Sequence, residues 1–106
     1  MMARRKRKLI KPEALVQAAQ CLRTLAHPHR LRMVEMLLED EYTVGELAES
    51  CGIQSHMASE HLRMMKDRGL LASRREGRRT YYRVRDGGLA GILSCVQNRF
   101  GSKSKR

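Results

Sequence analysis

The chain has 106 residues, which allows one domain with a limited core that self-association would help to stabilise. Lys and Arg total 22 against 11 Asp and Glu, a net charge of +11 that points to a polyanionic partner, either nucleic acid or an anionic membrane surface. No apolar run of about 18 residues exists to span a bilayer, and no apolar stretch follows the basic start Ala3-Arg4-Arg5-Lys6-Arg7-Lys8, so a secretory leader is not expected and a cytoplasmic location is.

Residues 1–11 carry mostly Lys and Arg with no apolar period and are predicted to form a basic flexible arm. Pro12 suits the first turn of a helix. Leu15, Ala18, Ala19, Leu22, Leu25 and Ala26 then recur every three or four residues as one apolar helical face. His27-Pro28 ends this helix and Pro28 opens a second. The expected buried face of that second helix is Leu31, Val34, Leu37 and Leu38, closed by the polar turn Glu39-Asp40-Glu41.

Thr43-Val44-Gly45-Glu46 has the spacing of a capping box, in which hydroxyl and carboxylate satisfy each other's backbone amides. Val44, Leu47, Ala48 and Cys51 give the short third helix its apolar face, and Gly52 can adopt the left-handed conformation that ends it. A fourth helix is predicted from about Gln54 or Ser55 to Arg68, with Ala58, His61, Leu62 and Met65 inward. Ser55 is the better cap by residue type. Residues 70–75 and 80–85 read as two strands around a turn at Glu76-Gly77. Asp86 is placed to cap a last helix carrying Leu89, Ile92, Leu93, Val96 and Phe100. The tail, 101–106, is small, basic and expected to be flexible.

The predicted fold is therefore mainly α with a two-stranded β-wing, in the order α-α-α-α-β-β-α. Residues 12–100 form the domain. Two short helices joined at Gly52 and followed by an arginine-rich hairpin make a winged helix-turn-helix layout.

In such a layout the second helix of the turn reads base edges, and short polar residues near its start suit the major groove. Gln54, Ser55, His56, Ser59, Glu60 and Arg63 fill that role here, opposite Ala58, Leu62 and Met65. The bland alternative is a solvated polar face. The hairpin adds Arg74, Arg75, Arg78 and Arg79 around Gly77, suited to backbone phosphates or the minor groove. Aromatics are few and Trp is absent, so the base-stacking platforms of single-strand binders are missing and duplex DNA is the expected partner.

Three cysteines, Cys21, Cys51 and Cys95, are too widely spaced and odd in number for a disulfide framework. All three can serve as small core residues. Cys95 on the last helix and Cys21 on the first are also candidates for a thiol sensor, with Arg99 or Arg23 able to favour the thiolate. His27 and His29 flank Pro28 and are most simply a helix cap and a solvated turn. No phosphate-binding glycine loop, paired catalytic carboxylates or Cys-His nucleophile pattern is visible, so an enzyme is not expected and no cofactor is implied.

The stretch Leu22-Arg23-Thr24-Leu25-Ala26-His27-Pro28-His29-Arg30-Leu31-Arg32 resembles the junction of the first two helices in the arsenic-repressor-like (ArsR) family. Glu46-Leu47-Ala48, Ser59-Glu60-His61-Leu62, Arg68-Gly69-Leu70-Leu71 and Glu76-Gly77-Arg78-Arg79-Thr80-Tyr81-Tyr82 resemble its later landmarks, so the likeness covers about residues 15–98. The resemblance implies a homodimer joined through the first and last helices, and repression by operator binding that a small inducer or thiol modification relieves. It also implies what is absent. The third helix has Gly45 and Glu46 where family members often carry a Cys-x-Cys metal pair, and no His follows His61 to serve as a ligand on the last helix. The alternatives are a constitutive DNA-binding regulator without an inducer, or an RNA- or membrane-binding basic module.

Overall fold

The computed structural model describes residues 8–101. Residues 1–7 of the expected arm and 102–106 of the expected tail lie outside the described residues. Five helices and three strands follow in order: α1 (Pro12–Leu25), α2 (Pro28–Leu37), β1 (Tyr42–Thr43), α3 (Val44–Cys51), α4 (Ser55–Asp67), β2 (Leu71–Glu76), β3 (Arg79–Val84) and α5 (Leu89–Phe100).

The winged helix-turn-helix layout is present, with one strand more than the periodicity predicts. The sheet is antiparallel in the order β1-β3-β2, and Tyr42 and Thr43 pair with Tyr82 and Tyr81. Two residues are too few to show alternation, so β1 leaves no trace in the sequence pattern. Strands β2 and β3 pair from Leu71 with Val84 to Glu76 with Arg79, leaving Gly77-Arg78 as a two-residue turn. Gly77 has φ +63°, the sign that such a turn needs at its first position.

Local chemistry sets the helix ends. Thr43 Oγ1 accepts from the Glu46 amide at 3.1 Å while Glu46 Oε1 accepts from the Thr43 amide at 2.8 Å, which completes the expected capping box. Gly52 closes α3 at φ +69°. Gln54, not Ser55, is the N-cap of α4, and its side chain makes no capping bond. At α5 the N-cap is Gly88, and Asp86 acts two residues earlier by accepting from the Gly88 amide at 2.8 Å.

The core joins Leu25, Met33, Val34, Leu37, Leu47, Ala48, Ala58, Leu62, Met65, Leu70, Leu71, Tyr82 and Leu89. Met33 is fully buried although the expected face of α2 omits it, while Leu31 and Leu38 are only half-buried. The larger departure is α1. Of its apolar face, Leu25 is buried, but Leu15 and Leu22 are half exposed, at 50% and 53%. Phe100 at the end of α5 is 74% exposed.

One polar assembly ties α4 to the α1–α2 junction. Arg30 Nη1 donates to the Thr24 carbonyl at 2.9 Å, satisfying an acceptor that the end of α1 leaves open. Its Nε donates to His61 Nδ1 on α4 at 3.0 Å. The His61 ring lies 4.5 Å from that of His27, whose own Nδ1 caps α2 by accepting from the His29 amide at 3.1 Å. The His29 ring is 6.0 Å from that of His61, so His29 belongs to the cluster as well as to the turn.

Burial, and then Arg30, His27 and His29, hold the His61 pKa below its ordinary 6.5, against the smaller pull of Glu60 in the opposite direction. The unfolded chain therefore takes up this proton before the folded one does. The stability from neutral His61 is complete above about pH 6.5 and is lost as the pH falls toward the depressed folded value. Urea unfolding of the parent between pH 7 and 5 should show a steeper loss of stability than that of His61→Gln. Parallel curves for the two proteins would remove His61 from the acid response.

Candidate nucleic-acid interface

Helix α4 has two faces. Ala58, Leu62 and Met65 are fully buried, which turns Ser55, His56, Glu60 and Arg63 outward; all four are exposed, and Ser59 is half-buried. Gln54 is exposed just before the helix. Gln54, Ser55, His56, Ser59 and Glu60 occupy the cap and first half of α4, where the open amides of a helix start also favour anions, and Arg63 follows one turn on. Met57 shares this exposed region, at 41%. An apolar side chain there suits a thymine methyl group. Its residue type gives no polar signal for this face in the sequence.

The wing brings Arg78 and Arg79 to the same side. Ser59 from α4, Thr43, Gly45 and Glu46 from the start of α3, and Arg78, Arg79 and Thr80 from the hairpin line one open cleft of about 510 Å³, with the Glu46 carboxylate engaged in the capping box. The sequence joins Ser59 to the wing residues only through the expected fold, and gives no local sign that Thr43 and Gly45 border the same space.

The four wing arginines differ in how free they are. Arg74 Nη2 and Nη1 pair with Glu41 at 2.9 Å and Glu76 at 3.1 Å. Its guanidinium also lies 4.5 Å from the centre of the Tyr81 ring, its cross-strand partner. The bonds to Glu41 and Glu76 hold its pKa above the ordinary arginine value. Arg74 is thus the buckle between the wing and the α2–β1 turn. Arg75 Nε donates to the Gly77 carbonyl at 3.1 Å and braces the turn. Arg78 and Arg79 are exposed and make no ion pair among the described residues. Tyr82 lies buried beneath α4; burial raises its pKa, and Arg63 partly offsets the effect.

The cysteines are all free thiols. Cys21 is half-buried against the core, and burial followed by the Asp86 carboxylate pushes its thiol pKa up. This corrects the expectation that a neighbouring arginine would favour its thiolate. Cys51 packs against the core, its thiol donating to the His29 carbonyl at 3.8 Å; burial raises its pKa, partly offset by Arg32. Cys95 is exposed on α5. Among the described residues, no group of three His, Cys, Asp or Glu side chains is disposed to hold a metal ion, and no helix is long and apolar enough to cross a membrane.

Comparison with known proteins agrees with this layout. Residues 27–73 match the family of bacterial regulatory proteins called the arsR family. The biofilm growth-associated repressor of Xylella fastidiosa is 31% identical over 90 residues, covering 85% of this chain and 79% of that protein. The crystal structure of the transcriptional repressor BigR from Xylella fastidiosa superposes with a TM-score of 0.77 at 31% identity, over 83% of this chain and 90% of that one. A homodimeric winged helix-turn-helix DNA-binding domain from Mycobacterium bovis, solved in solution, has a TM-score of 0.72 at 33% identity, over 82% of this chain and 81% of that one. The chain belongs to the arsR family: it is a DNA-binding winged helix-turn-helix transcriptional regulator, not an enzyme.

Proposed function

We propose that the chain is a cytoplasmic, homodimeric repressor that reads a specific duplex operator with α4 and grips its backbone with the wing. The observation that carries this reading is the cleft shared by Ser59, Arg78 and Arg79. A base-reading surface and two unpaired cations there face the same space. Ser55, His56, Glu60 and Arg63, with Gln54 at the cap, supply donors and acceptors for base edges. Arg78 and Arg79 supply phosphate contacts, and Arg75 braces the turn that carries them. Arg74 supports the wing rather than gripping DNA, because its charge is already answered by Glu41 and Glu76.

Arg78→Ala and Arg79→Ala should each weaken binding to all duplexes and lower the salt slope by about one. His56→Ala and Ser59→Ala should instead change operator preference, each lost base contact costing about 1–3 kcal/mol. A fluorescence titration over several salt concentrations separates the two effects. Unchanged slopes, or an unchanged ratio of specific to random affinity, would assign the contacts elsewhere.

Assembly into a homodimer is supported by the apolar surface that one protomer leaves open. Leu15 and Leu22 of α1 are half exposed. An open groove runs between α2 and α5, with Leu31 and Leu38 on one side and Leu93, Val96 and Phe100 on the other, edged by Arg32, Glu35 and Glu39. A two-fold axis bringing α1 and α5 of each protomer together would cover these surfaces and set two copies of α4 about 34 Å apart, one turn of duplex. Leu25 takes no part because it belongs to the protomer's own core. Sedimentation should give twice 12.2 kDa, and Leu22→Asp should yield a folded monomer. A parent that stays monomeric at every concentration would refute the assembly.

Operator release by a small inducer or by thiol modification completes the reading. Cys95 is the exposed thiol on α5, within the proposed dimer layer, while Cys21 is its less reactive candidate partner. Exposure to tetrasulfide or peroxide should release the parent from its operator and leave Cys95→Ser bound. Equal behaviour of parent and Cys95→Ser under both reagents would make the protein a constitutive regulator with respect to thiols.

A further inference from the structure

A second basic cleft lies away from the reading surface. It sits between α1 and the far end of α4, measures about 270 Å³, and is lined by Gln20, Arg23, Thr24, Arg30, Met64 and Arg68. Three of these six residues are arginines and none is acidic. None of the three arginines takes part in an ion pair among the described residues. Three guanidinium groups around one small space repel one another, and an anion placed there converts the repulsion into attraction.

The cleft is also partly built. Arg30 is half-buried and fixed at two points, by the Thr24 carbonyl at 2.9 Å and by His61 Nδ1 at 3.0 Å. A fork held in place loses less freedom on binding than a solvated one. Arg23 and Arg68 are exposed and make no side-chain hydrogen bond among the described residues, so they can close on an anion from either side. Planar guanidinium donors match the paired oxygens of a phosphoryl group. The volume falls below the roughly 300–1,000 Å³ of sites for drug-sized molecules, which selects a small ligand.

Position argues for a soluble anion rather than the duplex. The 13 residues of α4 span about 20 Å, so Arg68 stands that far behind Ser55 at the start of the reading face and about 7 Å beyond Arg63 at its end. On α1, Arg23 and Gln20 lie roughly 100° or more around the helix from Leu22, so the cleft is off the Leu22 side of that helix. We propose that this cleft binds a small soluble oxyanion of the phosphate class, held by Arg23, Arg30 and Arg68. The site ties α1 to α4 and does not depend on how α4 reads DNA.

The test is nitrogen-detected NMR on the full chain at pH 7, with chloride replaced by inorganic phosphate at constant ionic strength. Saturable shifts are expected at Arg30 Nε and at the amides of Arg23 and Arg68, with affinity falling about tenfold or more for each guanidinium removed in Arg23→Gln and Arg68→Gln. Shifts that never saturate, or an affinity that the double variant retains, would overturn the proposal. Both variants should keep the parent's salt slope on duplex DNA. A slope lower by about one in each would show that the cleft rests on backbone phosphates, and that too overturns a soluble ligand.

Discussion

The orientation of α4 about its own axis is the constraint on which the rest depends. Ala58, Leu62 and Met65 lie a turn apart and are fully removed from solvent. Burying a side chain such as Leu or Met is worth about 1.5–3 kcal/mol, so rotating the helix by one residue forfeits several such contributions at once. Packing fixes the rotation, and the rotation decides which polar residues face outward. Arg30 adds a polar pin to the same helix through His61, from a guanidinium that also answers the open carbonyl of Thr24. Hydrophobic burial alone tolerates sliding. A directed hydrogen bond between two helices does not, and it sets the depth at which α4 sits against the α1–α2 junction.

The wing is held by a comparable division of labour. Strand β3 runs between β1 and β2, so it is hydrogen-bonded on both sides. Tyr82 turns into the core, while Tyr81, on the opposite face, lies against Arg74. Arg74 then reaches Glu41 in the turn before β1. A two-stranded hairpin alone is marginally stable in water. Here the third strand, a buried tyrosine and an exposed ion-pair network hold its base in place. The exposed pairs are each worth little in isolation, but they share one arginine and act where the hairpin leaves the body. The positive charge of the chain is thereby sorted: some arginines are structural, and those beyond the buckle remain available.

The features legible in the sequence are those specified within a few residues. The helices follow from apolar spacing, the start of α3 from Thr43 and Glu46, and its end and the wing turn from Gly52 and Gly77. The polar face of α4 follows from the same spacing that defines its buried face. What the sequence hides is non-local. Glu41 and Arg74 are separated by 33 residues, and no local pattern announces their pairing. Arg30 and His61 are 31 apart. His61 reads simply as an inward residue of α4, and only the fold reveals that His27, His29 and Arg30 surround it. Strand β1 is missed because two residues carry no period. Asp86 illustrates the same limit for chemistry: it reads as a helix cap, and nothing local indicates that its carboxylate also bears on the Cys21 thiol from an element far along the chain.

The exposed apolar residues close the physical argument. On α1 the periodic face is as regular as any in the chain, yet of its leucines only Leu25 enters the protomer core. A protein of 106 residues has little apolar surface to spare, and leaving Leu15, Leu22 and Phe100 in water weakens the isolated protomer. The same side chains become stabilising once a second copy covers them. Duplex DNA presents successive major grooves at a fixed repeat, so a reader with one recognition helix gains register and avidity when a rigid interface holds two at that repeat. The exposed apolar face and the one outward polar helix of each protomer are both answered by the proposed pairing of two copies.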